Sequence, residues 1–181
     1  MKKRYLLLPA AVLYAAAVFL GYQKVNADYP AVKLVSAEPG EQLECQDGVM
    51  ISLQSARILT DDETEEYHEM MGDEMPWEEI TIEVEVELEN ETNEVKEVDM
   101  ALMYLETKGT ANGFAMGVDR ASEGYYGATR EELQPGETKK LVYPYNMASI
   151  WFTKKEWKEI KSREFYLTIS SYPEKKMLKL F

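Results

Sequence analysis

A chain of 181 residues with 45% hydrophobic and 11% aromatic side chains can fill one full core, so its formal charge of −13 marks an acidic folded protein, not disorder. Lys2, Lys3, Arg4 and Lys24 stand in the first 27 residues without an acid, which leaves 16 basic and 33 acidic groups over residues 28–181. That net of −17 excludes nucleic acid as a partner and argues against docking of the domain body on anionic lipid, while the single cysteine, Cys45, excludes an internal disulfide and Cys/His zinc spacing.

Residues 2–4 are K-K-R, and an apolar run from Tyr5 to Tyr22, broken only by Pro9, follows them. A positive stretch and then a hydrophobic one is the order of an export segment. Val25-Asn26-Ala27 sets small residues at the −3 and −1 positions of a cleavage site before Asp28. The 18-residue run is also about the shortest that spans a bilayer core. Residues 1–27 are therefore expected to be a signal peptide or a single membrane anchor, with residues 28–181 extracytoplasmic: secreted after cleavage near Ala27, or held at the membrane if uncleaved. No cysteine lies just after the apolar run, so a lipid-modified N-terminus is not expected.

Within the domain, Val32-Lys33-Leu34-Val35 predicts a first strand, ended by Pro39-Gly40, and Val49 to Leu59 a second whose parity slips near Ser55-Ala56, as at a bulge. Thr60 with Glu63 forms a capping box, Tyr67, Met70 and Met71 share a helical face, and Gly72 is a stop, so residues 60–76 predict a short acidic helix. The segment E-I-T-I-E-V-E-V-E-L-E, Glu79 to Glu89, then alternates strictly, and the period of two dictates a central strand with one dry and one wet face. A polar turn over residues 90–94 leads to a second alternating run, Val95 to Tyr104, read as its hairpin partner. Residues 106–130 are glycine-rich and loop-like. Gln134-Pro135-Gly136-Glu137 is a type II turn ahead of a strand with Leu141, Tyr143 and Tyr145. Thr153 with Glu156 is a second capping box, stapled by Phe152 and Trp157 over a helix from Lys154 to Lys161. Phe165 to Ile169 is the next strand, with Met177 to Leu180 beyond Pro173.

Seven or eight short strands with turns between them and two short helices make an all-β, Greek-key β-sandwich the expected fold. The strand I-T-I-E-V-E-V-E-L-E-N with the run V-D-M-A-L-M-Y-L, and L-Q-P-G-E-T ahead of a Tyr/Val strand and the terminal F-Y-L-T-I-S, resemble the telokin-like, immunoglobulin-fold extracytoplasmic domains of unknown function from Gram-positive bacteria. The similarity covers residues 48–172. It implies an Ig-like sandwich acting as a non-catalytic envelope module, and it brings no catalytic residues. The lipoprotein cysteine of such domains is missing, and the acidic helix is an insertion.

Several clusters could carry chemistry. His68 is the lone histidine, and no serine or cysteine stands in a nucleophile elbow, so no enzyme and no cofactor are expected. Glu83, Glu85, Glu87 and Glu89 are spaced ~6.8 Å apart along one strand face, which suits a solvated face better than a Ca²⁺ cage. His68 with Met70, Met71 and Met75 offers soft ligands for Cu(I), against a packing role for the methionines. Tyr125 and Tyr126, between Gly124 and Gly127, either contact a partner or fold back over the sandwich. Residues 139–181 carry a net charge of +6 against −23 over residues 28–138. Either the late strands face the acidic ones across the sheet, or the lysines form a patch for an anionic wall polymer or lipid headgroup. The functional expectation is a binding or accessory domain contacting an envelope protein or wall polymer; the alternative is an extracytoplasmic Cu(I)- or Ca²⁺-binding protein.

Overall fold

The computed structural model of the chain describes residues 4–72 and 76–181. A helix, α1 (Arg4–Asp28), comes first, and Leu13, Phe19, Leu20 and Val25 along it are exposed. Among the described residues no helix is long and apolar enough to cross a membrane. The body follows as β1 (Lys33–Ala37), β2 (Gln42–Gln46), β3 (Val49–Ile58), α2 (Asp61–Met71), β4 (Glu79–Asn90), β5 (Lys96–Asp99), β6 (Tyr104–Thr107), β7 (Thr110–Asn112), α3 (Val118–Ala121), β8 (Arg130–Leu133), β9 (Thr138–Ala148), α4 (Lys154–Lys158), β10 (Tyr166–Ser170) and β11 (Glu174–Lys179). One sheet runs β2-β3-β4-β9 and the other β1-β11-β10-β6-β7, with β5 and β8 as a separate pair. The body is a β-sandwich with a few short helices.

The alternating segment is the interior strand of its sheet. β4 is antiparallel to β3 on one side, with Leu53 opposite Val86, and to β9 on the other, with Ile82 opposite Tyr145. Ile80, Ile82, Val84, Val86 and Leu88 are buried and join Leu105, Leu167 and Leu178 of the facing sheet in one core. Each such side chain contributes ~1.5–3 kcal/mol on full burial. The slip in β3 falls between Leu53 and Ser55, a bulge where the parity changes. Strand β2 is an addition: Gln42, Glu44 and Gln46 are exposed and Leu43 and Cys45 only half-buried, because it lies at the border of the sheet. Cys45 in it is half-buried, its Sγ donates to the Val49 carbonyl at 3.3 Å, and burial pushes the thiol up to about 11.

The expected hairpin after Asn90 does not form. β5 pairs with β8 instead, Val98 opposite Glu131, a 3-10 turn at Met100–Leu102 capped by Asp99 interrupts the run, and β6 joins the other sheet beside β10. Asn90 supplies the reason. It is fully buried, and its Nδ2 donates to the carbonyls of Glu94, Leu133 and Gln134, which ties the end of β4 to the end of β8 and turns the chain out of the sheet. The place beside β4 goes to β9, which returns through the Gln134–Glu137 turn, with Gly136 at φ 71° and Glu137 N–H donating to Gln134 O at 3.0 Å.

Both capping boxes are made. Thr60 and Glu63 start α2, and Gly72 at φ 71° ends it. Thr153 and Glu156 start α4, which is one turn followed by a 3-10 turn at Ile160–Ser162; the Phe152 and Trp157 rings of the staple stand 5.9 Å apart.

Candidate functional site: a roofed end of the central sheet

The wet face of β4 is wet over only half its length. Glu85, Glu87 and Glu89 are half-buried, but Glu83 is 7% exposed and Thr81 is fully buried. This corrects the expectation of an evenly solvated carboxylate row. The cover comes from two segments outside the sandwich, α2 through Tyr67 and the glycine-rich segment through Tyr126, both buried, their rings meeting edge to face at 6.1 Å.

Local sequence explains the second cover. Gly117 at φ 86° admits α3, Ser122 Oγ accepts the Tyr126 N–H at 3.0 Å, and Gly127 N–H donates to Val142 O at 2.9 Å. Gly127 has to be a glycine: a Cβ there would stand 2.5 Å from Cζ of the Tyr143 ring. Phe114 bridges Tyr145 farther along β9, so residues 114–127 run as a strap beside that strand, occupying backbone positions that an edge strand would otherwise present unpaired.

A polar centre lies under the roof. Arg57 of β3 is opposite Glu83 in register; its Nε donates to Glu83 Oε2 at 2.8 Å, its Nη2 lies 2.6 Å from the same oxygen, and its Nη1 lies 2.7 Å from Glu63 Oε1 of α2. The Tyr126 hydroxyl donates to Glu83 Oε1 at 2.7 Å. Strand, helix and strap thus close on one carboxylate. Burial, and then the bond to Glu83, push the Tyr126 hydroxyl well above the usual phenol range. The Arg57 hydrogen bond, followed by those from Thr60, holds the Glu63 carboxyl down at about 2. Arg57 and Tyr126 thus each hold one oxygen of Glu83, and the centre clasps strand, helix and strap together.

Beside the clasp opens a groove of about 350 Å³, lined by Arg57, Glu63, Glu66, Tyr67, Met70 and Tyr125. The paired tyrosines divide the two roles open to them. Tyr126 folds back, while Tyr125 is 61% exposed with its ring edge-on to Tyr126 at 4.8 Å. The soft-ligand set does not converge. Residues two apart on a helix are separated by about 200°, and accordingly Met70 lines the groove while His68 Nε2 stands 3.3 Å from Glu79 Oε2. That approach is close enough for an ion pair when the imidazole is protonated, but its angles do not make a hydrogen bond. Met71 packs against the core, and Met75 lies outside the described residues. Among the described residues no group of three or more His, Cys, Asp or Glu could hold a metal ion.

Arg57, Glu63 and Glu83 are the residues that the pattern alone did not single out. A signal was present: Arg57 is the only basic residue between Lys33 and Lys96. Several of the late lysines face acids across the structure, Lys140 to Glu87 at 3.8 Å, Lys139 to Glu131 at 3.5 Å and Lys175 to Glu106 at 2.6 Å.

Three solved structures align with parts of this chain. An uncharacterized beta-sandwich protein from Clostridium difficile 630 aligns over 83% of this chain and 96% of its own, at 11% identity and a TM-score of 0.45. The yjhA protein from Bacillus subtilis aligns over 80% and 98%, at 10% identity and 0.46. A functionally unknown protein from Listeria monocytogenes EGD-e aligns over 70% of each chain, at 8% identity and 0.46. No curated protein matches the chain. The profile of the family described as a domain of unknown function (DUF5028) matches residues 30–176, and the chain belongs to that family.

Proposed function

We propose that residues 28–181 are a non-catalytic binding or accessory module of the bacterial cell envelope, of telokin-like, immunoglobulin-type Greek-key architecture, exported behind residues 1–27. Three features support the parts of this reading. The K-K-R stretch, the apolar run and Val25-Asn26-Ala27 have the order of an export segment. β9 returns beside β4 after the chain has visited the other sheet, as a Greek key requires. The observation that carries the function is Tyr125: a large aromatic ring, 61% exposed, set on a floor fixed by the Glu83 clasp and the β9 strap. A rigid exposed tyrosine offers wide contact area at little entropic cost. The partner surface it meets belongs to an envelope protein or wall polymer.

The test uses the full chain produced in a Gram-positive host. Protease added to intact protoplasts should digest the body of the protein, and the mature N-terminus should be Asp28 if the segment is cleaved or Met1 if it is kept. Binding of the detergent-solubilised full chain to purified walls and envelope proteins, which membrane insertion of residues 1–27 does not determine, should weaken at least tenfold in Tyr125→Ser without change in melting temperature. Protection from external protease, or binding unchanged by the substitution, defeats the proposal.

A further inference from the structure

The chain has three tryptophans, and all three gather where β4 begins and β9 ends. Trp77 precedes β4, Trp151 follows β9 and Trp157 stands on α4. They surround or adjoin a groove of about 610 Å³ whose walls include Trp77, Ile150, Phe152 and Trp157. Trp77, Ile150 and Trp151 are 39%, 64% and 45% exposed, an unusual concentration of apolar surface for so acidic a protein.

The rings are held in place. The Trp157 indole N–H donates to Glu78 Oε2 at 2.6 Å, and that of Trp77 donates to Glu79 Oε1 at 2.7 Å. Phe152 lies between the Trp157 ring, at 5.9 Å, and the Arg163 guanidinium, at 5.1 Å from its centroid. Both hydrogen-bonded indoles have spent their only donor internally, so what they offer a ligand is their faces.

Charge completes the description. Lys154 and Lys158 line the groove and Lys155 stands beside them on α4. Most late lysines are matched to acids, but these three make no ion pair or side-chain hydrogen bond among the described residues. Glu78, the acid on the same wall, is engaged by the Trp157 indole, so Lys154 and Lys158 are the charged groups the groove leaves without a partner, which suits a negative ligand. We propose that this groove binds an acidic glycan, its sugar rings stacked on the tryptophans and its carboxylate or phosphate substituents at Lys154 and Lys158. A pyranose presents a positively polarised C–H face that suits the negative face of an indole. A bilayer meets a protein through protruding tips, whereas these walls form a concavity for an entering chain. The site is separate from the Tyr125 face, and its test leaves Tyr125 untouched.

Because two of the three tryptophans, Trp77 and Trp157, line this groove and Trp151 is next in sequence to the lining residues Ile150 and Phe152, intrinsic tryptophan fluorescence reads it. Full-length protein is titrated with oligogalacturonate for the carboxylate arm, phosphomannan for the phosphate arm and maltohexaose as a neutral sugar; phosphatidylglycerol vesicles form a fourth arm. A saturable change with oligogalacturonate or phosphomannan and none with maltohexaose is expected. Affinity should weaken with added salt and fall at least tenfold in Lys154→Glu/Lys158→Glu, whose exposed positions leave the melting temperature unchanged. Trp77→Ala, which removes an exposed ring from the groove wall, should weaken binding with the lysines intact. No saturable change with either acidic glycan, equal binding of maltohexaose, affinity unmoved by the lysine reversals, or a response to vesicles alone overturns the proposal.

Discussion

Removing the Tyr126 hydroxyl isolates one arm of the clasp. In Tyr126→Phe the ring keeps its contacts with Tyr67 and Tyr125, and Arg57 stays on Glu83 Oε2, but Oε1 loses its donor at 2.7 Å. A hydrogen bond to a charged group contributes about 1.5–3 kcal/mol. For a domain of this size each kcal/mol moves the melting midpoint by about 2–4 °C, so a loss of about 2 kcal/mol lowers it by about 4–8 °C at neutral pH. The bond also leaves a pH signature. Burial and Glu83 raise the folded-state pKa of Tyr126, so its contribution is complete below the unfolded value of about 10 and is lost as the pH rises above that value. The stability difference between wild type and variant should be flat from neutral pH to about 9 and shrink above about 10. The other tyrosines titrate in both proteins and cancel. Urea unfolding across this range is the assay. A difference below about 0.5 kcal/mol at neutral pH, within the range of ordinary surface substitutions, or one that stays constant to about pH 11, refutes the reasoning.

Four further outcomes follow from the same geometry. Glu63 is held at about 2, below its unfolded value of about 4.3, so its contribution is present above the latter and lost as the pH falls through the former; Glu63→Gln should flatten the acid limb of stability between these values, and an unchanged limb rejects the pairing. Gly127→Ala drives a methyl into the Tyr143 ring and should cost about 1–3 kcal/mol in thermal unfolding, while wild-type stability would show that the strap is not seated. Asn90→Ala strips the side-chain donor from three carbonyls at once and should cost about 3 kcal/mol or more in urea, where a loss under about 1 kcal/mol would remove Asn90 from its role. Cys45, pushed up to about 11, should be alkylated at pH 8 at least about tenfold more slowly in the folded protein than in urea; equal rates contradict its burial.

What could be read from the chain divides along physical lines. β4, both capping boxes, the bulge in β3 and the Pro135-Gly136 turn depend on residues close in sequence, and the pattern shows them directly. The partner of β4 was not legible, because Val95 to Tyr104 alternates as a hairpin strand would and only the buried Asn90 amide diverts it. Likewise Glu83 is indistinguishable from Glu85 in sequence; it is buried because α2 and the strap happen to cover that end of the sheet. Tyr125 and Tyr126 were visible as a pair and separable only in three dimensions. The tryptophan groove escaped notice since Trp77 and Trp151 lie far apart along the chain and meet only across the β4–β9 register, Glu79 opposite Ala148.

The strap along β9 also limits how copies of this protein can join. Gly127 and Phe114 already hold Val142 and Tyr145, so a foreign strand finds no continuous ladder on that border, while β2 forms the opposite border of the same sheet. Fibre growth needs two sticky margins per molecule, and this sheet has one. Self-association through it therefore terminates at a pair.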